Sequence, residues 1–319
     1  MRRAPQQSSE TWRNLLLNGF LRQKNGIIKS LSRAISRAIR AIMEKEIGTN
    51  GSRKKGSHLD MERYEEEMSW EERAARVHRE RDPVYQVSTL QALVMGNFYG
   101  SAAIEHVLEH GDTGLGTFHA VAGELVVIDG HAYRILGDGR AVEAKPHDTT
   151  PFASVAYLTD RAYRIKLGRV PSLDVLRDVL DERVELLGVN NMYLVRIDGY
   201  FRRVAARTEL SQQEPFLPFA EVLKTDERRF AFEEVAGSLV CFYFPPYLDG
   251  VNTPGWHFHF IDAVRQHGGH VFGLCMEHGI VRMQKSDRFI MDLPHNDAFQ
   301  DARLENASKD DIRQIEQGE

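Results

Sequence analysis

The residues best suited to chemistry are three histidines in a stretch that alternates polar and apolar side chains. His257, His259 and His270 lie within residues 251–272, VNTPGWHFHFIDAVRQHGGHVF. Side chains two residues apart project from the same face of a strand, so His257 and His259 can share one ion. Residues 262–268 read as a loop between apolar runs, so His270 returns antiparallel to face the same point. Three imidazoles with an open fourth position are typical of catalytic zinc.

A lone HxH motif is weak evidence, because one histidine on an apolar strand is more often a packed core residue. Here Trp256, Phe258 and Phe260 alternate with the two histidines. One face of the strand is therefore apolar and the imidazoles share the other, where an unpaired polar group would be costly if buried. Together with the following Gly-Gly-His, this pattern favours a metal site. Zinc is the first expectation, and iron or manganese stays open because imidazoles accommodate several divalent ions.

The body of the chain predicts an α+β fold with two mixed or antiparallel β-sheet subdomains and few helices. The first subdomain, with a mixed sheet, covers residues 83–170. The second, largely antiparallel, covers residues 171–319 and carries the metal site and a C-terminal tail. Asp129–Gly130 and Asp198–Gly199 each lie between alternating runs, which predicts a two-residue hairpin at both places.

Capping residues mark the expected helices. The strongest helix runs over residues 171–187, with Ser172 at the cap position and an apolar stripe on one face. Ser88–Thr89 predict the cap of a short helix through Met95, and Ser101 predicts the cap of another. These helices read as packing elements.

The first 60 residues differ in character from the rest. They hold 13 Lys and Arg against 4 Asp and Glu, and isoleucines and a leucine between residues 27 and 42 recur at helical spacing. This basic amphipathic or disordered segment is compatible with a transit peptide, with a membrane-surface helix, or with a dispensable extension. In the third case, Met61 would be the true start of the protein. We favour the dispensable extension. We expect residues 61–82 to be a charged helix or linker.

Composition excludes several classes of protein. The chain has 319 residues, 42% of them hydrophobic, and only two cysteines. This composition supports a sizeable core in a reducing compartment without a disulfide framework. No apolar run approaches the ~18 residues that a membrane span needs, and the basic segment lacks the interleaved aromatic residues of single-strand nucleic-acid binding. We expect a cytoplasmic protein with no nucleic-acid partner, or an organellar one if the N-terminal segment is a targeting signal.

Several short motifs, in the same order along the chain, resemble those of acetolactate decarboxylases over about residues 82–319. The matching segments are Tyr85–Thr89, His110–Asp112, Gly114–Thr117, Gly123–Leu125, Thr150–Ala153, Ala206–Thr208, Gly250–Asn252, Pro254–Gly255, His257–Ile261, Gly268–Val271 and Leu293–His295. The resemblance is specific because several unusual motifs recur in register.

The resemblance implies a carbon–carbon lyase that converts 2-acetolactate to acetoin and carbon dioxide in acetoin and butanediol metabolism. It further implies that Glu124 and Arg207 face the metal pocket, together with a glutamate from the C-terminal tail. An ungapped register places that glutamate at Glu316, with Glu305 and Glu319 as substitutes. Arg207 would hold the anionic oxygens of the substrate, and Glu124 or Glu316 would deliver a proton to the intermediate. Assembly into a homodimer is compatible with the sequence.

Two other functions are compatible with the histidine pattern. A cupin-like oxygenase also uses HxH, but its third histidine lies much further along the chain and a ligand glutamate follows the pair closely. Here His270 follows His259 by eleven residues. A metal-binding or ligand-binding protein without catalysis is the other alternative, and metal content without turnover would identify it.

Overall fold

The computed structural model describes residues 82–307, which form fourteen β-strands and five α-helices. The predictions for residues 1–60, for residues 61–81 of the linker and for Glu316 lie outside the described residues. The strands are β1 Val84–Val87, β2 Ala102–Ala103, β3 Thr113–Thr117, β4 Glu124–Ile128, β5 His131–Ile135, β6 Ala141–Glu143, β7 Thr149–Thr150, β8 Phe152–Ala156, β9 Tyr163–Leu167, β10 Met192–Glu209, β11 Glu227–Phe244, β12 Gly255–Asp262, β13 Gly268–Ser286 and β14 Phe289–Asp292. The helices are α1 Leu90–Val94, α2 Ile104–Leu108, α3 Leu173–Leu187, α4 Phe219–Asp226 and α5 Asp297–Asp301.

A seven-stranded sheet has the order β14-β1-β8-β3-β4-β5-β6. All its neighbours are antiparallel except β1 and β14, so the sheet is mixed as the sequence predicts. Asp129 and Gly130 join β4 to β5 with φ of 54° and 78°, which confirms the predicted two-residue turn. This sheet places Glu124 at the first position of β4.

The second sheet has five antiparallel strands in the order β10-β11-β12-β13-β9. Strand β13 pairs with β12 at its start and with β10 over most of its length. Because β10 also pairs with β11, the four strands β10 to β13 close on themselves. The three histidines of the sequence motif all lie on β12 and β13, at the place where this closure occurs.

The predicted hairpin at Asp198–Gly199 is wrong, because both residues lie inside the continuous strand β10. Gly199 pairs with a glycine on each side, Gly237 and Gly279, so three strands approach closely where side chains are absent. The Asp198 carboxylate accepts hydrogen bonds from Arg196 and Ser238 at 2.8 and 2.7 Å. One partner from the same strand and one from the neighbouring strand β11 thus stabilise an Asp-Gly pair that otherwise favours a turn.

The α+β fold predicted from the sequence is confirmed. With two exceptions, the strands of the seven-stranded sheet come before residue 170, the predicted boundary, and the strands of the five-stranded sheet come after it. Strand β9 precedes that boundary but pairs with β13, and β14 follows it but pairs with β1. The chain therefore crosses between the sheets more often than a split into two sequential subdomains requires.

Two of the predicted caps are present and one is absent. Thr89 accepts a hydrogen bond from the N–H of Ala92 at the start of α1, and Ser172 accepts one from Val175 at the start of α3. Ser101 is not a cap, because α2 begins only at Ile104. The backbone N–H of Ser101 instead donates to the carbonyl of Thr150 on β7. The two-residue strand β2 occupies the positions between Ser101 and the helix.

Helix α3 packs its apolar stripe against the second sheet. Leu173, Leu176, Leu180 and Val184 are buried in the same core cluster as Phe258 of β12. The indole N–H of Trp256 donates to Asp181 on the helix at 2.7 Å, which adds a polar contact to this interface. The helix therefore stabilises the strand that carries two of the histidines, from the face opposite to them. Among residues 82–307, no helix has the length and apolar character that a membrane span requires.

Leu180→Ala should lower the free energy of unfolding by about 2–5 kcal/mol, because it leaves a cavity under the second sheet. Leu186→Ala is the matched control, since Leu186 lies on the same helix and is 55% exposed. We expect that variant to differ from the wild type by less than about 0.5 kcal/mol in urea unfolding. Equal effects of the two substitutions would contradict the assignment of the buried stripe.

Candidate metal centre

Three imidazole rings converge on one point between β12 and β13. The Nε2 atom of His257 lies 3.0 Å from Nε2 of His259 and 3.0 Å from Nδ1 of His270. The three rings are buried, and their nitrogen atoms form a group that could hold a metal ion. His257 and His259 reach this point from one strand because they are two residues apart, and His270 reaches it from the antiparallel neighbour.

The pairing of strands β10, β13 and β12 places three residues of the site side by side. His270 is the partner of His259 on β12 and of Arg207 on β10, so these three residues form one row. Gly269 has φ of 153°, and a Cβ atom there would lie 2.8 Å from the carbonyl oxygen of Arg207. Only glycine allows β13 to approach β10 this closely beside His270.

Burial favours the neutral form of His257 and His259, in which a ring nitrogen can donate a lone pair. Burial, then the neighbouring charges of His259 and Arg207, holds the pKa of His257 well below its usual range. Burial and Arg207 lower the pKa of His259 to about 4, against the opposing hydrogen bond to Leu125. Since a carbonyl only accepts, Nδ1 of His259 donates to the Leu125 oxygen at 2.8 Å and Nε2 is left without a hydrogen.

This donor set fits a divalent ion better than it fits a hydrogen-bond network. The Nε2 atom of His257 has two nitrogen neighbours at 3.0 Å, but a neutral ring nitrogen carries at most one hydrogen and so bonds only one of them. Nitrogen ligands at about 2.0–2.1 Å from a tetrahedral zinc ion would lie roughly 3.3 Å apart, which is close to the spacing here. Contact between His259 and the Leu125 carbonyl is the outer-shell support that such ligands usually have.

A pocket with about 360 Å³ of empty space, its opening included, lies next to the histidines. Its lining residues are Leu93, Gly116, Thr117, Glu124, Phe152, Arg207, Glu209, Phe219, His257 and His270. The Oε2 atom of Glu124 lies 3.5 Å from Nε2 of His259. Both sheets therefore contribute polar groups to one small, largely apolar chamber.

Arg207 is 3% exposed and is one of the residues that line this pocket. Its Nη1 atom donates to Oε1 of Glu227 at 3.0 Å, and Glu227 also binds the exposed Arg229 at 2.5 Å. A carboxylate that is itself paired balances the buried guanidinium charge and orients the group. Arg207 is thereby held next to the histidine row.

One threonine joins the two sheets at the edge of the site. The hydroxyl of Thr208 on β10 accepts from the N–H of Glu124 and donates to the carbonyl of Ile135, both at 3.2 Å. Glu124 and Ile135 are partners on β4 and β5. This contact fixes the backbone of Glu124 relative to the strand that carries Arg207.

The structure brings together five of the six residues that the sequence proposed for the site. His257, His259, His270, Glu124 and Arg207 surround or line the same pocket. The sixth, Glu316, lies outside the described residues. The catalytic and metal-binding roles of all six stay predictions.

Sequence reasoning missed Thr117 and Glu209, both of which are buried and line the pocket. Thr117 is the partner of Glu124 on β3. Glu209 follows Arg207 by two residues on β10, and alternation along the strand is the signal that would have found it.

Comparison with known proteins identifies relatives over the same part of the chain. Residues 84–306 match the family model described as alpha-acetolactate decarboxylase. The alpha-acetolactate decarboxylase of Methanosarcina mazei is 39% identical over 236 residues, which cover 74% of this chain and 80% of that protein. The Bacillus subtilis enzyme of the same name is 35% identical over 226 residues, covering 70% and 86%.

Solved structures match the same region. The crystal structure of alpha-acetolactate decarboxylase from Bacillus subtilis strain 168 superimposes with a TM-score of 0.70 at 33% identity, over 73% of this chain and 99% of that one. A Staphylococcus aureus protein of unknown function, described as similar to that enzyme, has a TM-score of 0.68 at 28% identity, over 73% and 99%. The fold and the matched region therefore agree between sequence and structure comparisons.

His257→Ala should reduce bound zinc from about one ion per chain to nearly none, because two imidazoles alone hold the ion much more weakly. Plasma emission spectroscopy after gel filtration measures the zinc content. His278→Ala is the control, because His278 is an exposed histidine of the same strand β13 as His270. Full zinc content in His257→Ala would contradict the metal centre.

Proposed function

The chain belongs to the alpha-acetolactate decarboxylase family, and we propose that it converts 2-acetolactate to acetoin and carbon dioxide in the pocket beside the three histidines. The observation that carries this proposal is the convergence of three buried imidazoles, a buried guanidinium and a buried carboxyl group in one chamber. As the proposal stands, the protein is a carboxy-lyase that acts on a small anion in the cytoplasm.

The substrate explains why these groups are needed together. It carries adjacent hydroxyl, ketone and carboxylate groups, and loss of carbon dioxide leaves an electron pair that spreads onto oxygen as an enediolate. A divalent ion, zinc by first expectation, held by His257, His259 and His270 would supply positive charge next to those oxygens. Protein groups fixed in a water-poor pocket stabilise such charge without reorganising.

Arg207 is suited to bind the anionic end of the substrate. Its planar group offers several parallel donors that match a carboxylate, and its ion pair with Glu227 holds the group in position before the substrate arrives. Burial strengthens this attraction, because the pocket screens charge less than water does. In this proposal Arg207 orients the carboxylate that leaves.

Glu124 is suited to handle the proton that completes the reaction. Departure of neutral carbon dioxide from an anion leaves a carbanion equivalent, and one proton added to carbon gives acetoin. Glu124 lies beside His259 in the pocket, and its backbone is fixed by Thr208. We assign it the delivery of that proton to one face of the intermediate, while Glu316 stays a proposed second carboxyl group from the tail.

Removal of metal should abolish acetoin formation, and added zinc should restore it. The measurement is a colour assay for acetoin on the purified full chain, before dialysis against a chelator, after it, and after zinc is returned. The control is the same protein carried through dialysis without chelator. Acetoin formation that survives verified loss of all metal would contradict a metal-dependent decarboxylase, and oxygen consumption without acetoin would indicate an oxygenase.

Arg207→Ala should retain zinc but lower kcat/KM by about 100-fold or more, equivalent to roughly 2.7 kcal/mol of transition-state stabilisation. Arg229→Ala is the matched control, because Arg229 binds the same carboxylate of Glu227 but is exposed and lies outside the pocket lining. A comparable loss of activity in both variants would assign the effect to Glu227 and contradict the role of Arg207.

A further inference from the structure

A second group of metal-ligating side chains lies at the C-terminal end of α2. Among residues 82–307, only two sets of three or more His, Cys, Asp or Glu side chains place their possible ligand atoms within 4.8 Å of one another. The first set is the histidine group of the pocket, and the second consists of His106, Glu109 and His110. None of these three residues lines the pocket, so the proposed decarboxylation leaves them without a role.

The spacing of the three residues along the chain explains why they meet. Side chains three and four residues apart are neighbours on the surface of a helix, so Glu109 and His110 project beside His106. Helix α2 ends at Leu108, but Glu109 keeps helical dihedral angles of φ −67° and ψ −18°. The N–H groups of Glu109 and His110 donate to the carbonyls of His106 and Val107 at 3.2 and 3.1 Å, which tightens this last turn.

The two imidazole rings have the same separation as the rings of the candidate metal centre. The ring centroids of His106 and His110 lie 4.9 Å apart, and the three pairs of rings in the pocket lie 4.8, 4.8 and 5.4 Å apart. The Nδ1 atom of His106 lies 3.1 Å from Oε2 of Glu109, close to the roughly 3.3 Å that separates two ligands of a tetrahedral zinc ion. Two imidazoles and a carboxylate in this arrangement can share one ion.

Neighbouring strands support both rings from behind. The Nε2 atom of His106 lies 3.7 Å from Oδ2 of Asp292 on β14, and the hydroxyl of Tyr85 on β1 donates to the same oxygen at 2.7 Å. The Tyr85 ring also stacks on the ring of His110, with centroids 3.9 Å apart. A carboxylate behind a histidine is the usual outer-shell support of a metal ligand, because it favours the tautomer whose other nitrogen is available to the ion.

An ordinary surface ion pair explains less of this arrangement. His131 lies 2.8 Å from Glu143, and His147 lies 3.1 Å from Glu105, so both are exposed histidines that contact one carboxylate. Neither pair belongs to a set of three possible ligands. The group on α2 differs from them by its second imidazole, His110, and by the outer-shell support of both rings.

We propose that His106, Glu109 and His110 bind a second divalent cation, with water in the remaining position. Two imidazoles and a carboxylate favour zinc among the common divalent ions. A cleft of about 930 Å³, its opening included, is lined in part by His106 and Asp292 and gives the ion and water access. The side chains of His106 and Glu109 are 45% and 71% exposed, so these ligands are less rigid than the buried histidines. The second ion therefore binds more weakly than the first and is lost on gel filtration.

The test is a calorimetric titration with zinc of the full chain, after the pocket has been loaded with one ion. Loss of an outer-shell partner typically costs about 10- to 100-fold in metal affinity, and loss of a ligand should cost more. His106→Ala and Glu109→Gln should therefore each weaken the second zinc by about 100-fold or more and keep the first. Asp292→Asn should weaken it about tenfold.

The matched control is His131→Ala, which removes an exposed histidine with a single carboxylate partner and should bind the second zinc as the wild type does. The result is the difference between each variant and the wild type, so zinc bound elsewhere on the chain cancels. An unchanged affinity in both ligand variants, or an equal loss in His131→Ala, would overturn the proposal. Because Glu109 is an exposed side chain, Glu109→Gln tests the site without risk to the fold.

Crystals soaked in zinc provide a direct readout. Anomalous scattering at the zinc absorption edge should show one peak among His257, His259 and His270 and a second among His106, Glu109 and His110. The second peak should be absent in His106→Ala, and a wild-type crystal with the first peak alone would overturn the proposal. Neither experiment uses the reaction, so a protein that binds both ions but forms no acetoin would refute the proposed function alone.

Discussion

The site depends on one contact between the two sheets, the hydrogen bond from the ring of His259 to the carbonyl of Leu125. This bond orients the lone pair of His259 toward the other imidazoles, and it also joins the strand of the histidines to the strand that begins with Glu124. Thr208 reinforces the same junction through its contacts with Glu124 and Ile135. The same contacts therefore determine both the geometry of the histidines and the packing of one sheet against the other.

Around that junction, burial shapes the electrostatics of the site. Burial and the nearby Arg207 lower the pKa of His257 and of His259. The Nη1 atom of Arg207 donates to Glu227, which balances the buried guanidinium charge. Burial raises the pKa of Glu209, which lines the same pocket. Imidazole lone pairs, a fixed positive charge and buried carboxyl groups are therefore gathered around one chamber.

The sequence was sufficient to predict features that neighbouring residues determine. It was not sufficient for features that depend on contacts between strands distant along the chain. Alternation around His257 and the Gly-Gly-His run were enough to predict a pair of strands with converging rings, and Ser172 predicted its helix. The turn predicted at Asp198–Gly199 failed because glycines on neighbouring strands and cross-strand partners for the aspartate extend the sheet instead. Arg207 was found through family resemblance, and Glu209 was missed, although alternation along β10 places it on the same face as Arg207.

The division of the site between the sheets limits how such a protein can be altered by recombination. One sheet supplies Thr117 and Glu124, the other supplies the histidines and Arg207, and the chain passes between them several times. A chimera that took either sheet from a relative would inherit half of the chemistry, facing a junction shaped for another partner. Any such chimera must keep the ring of His259 on the carbonyl of Leu125 and the hydroxyl of Thr208 between Glu124 and Ile135, so each sheet is usable only with a partner that meets it at these same points.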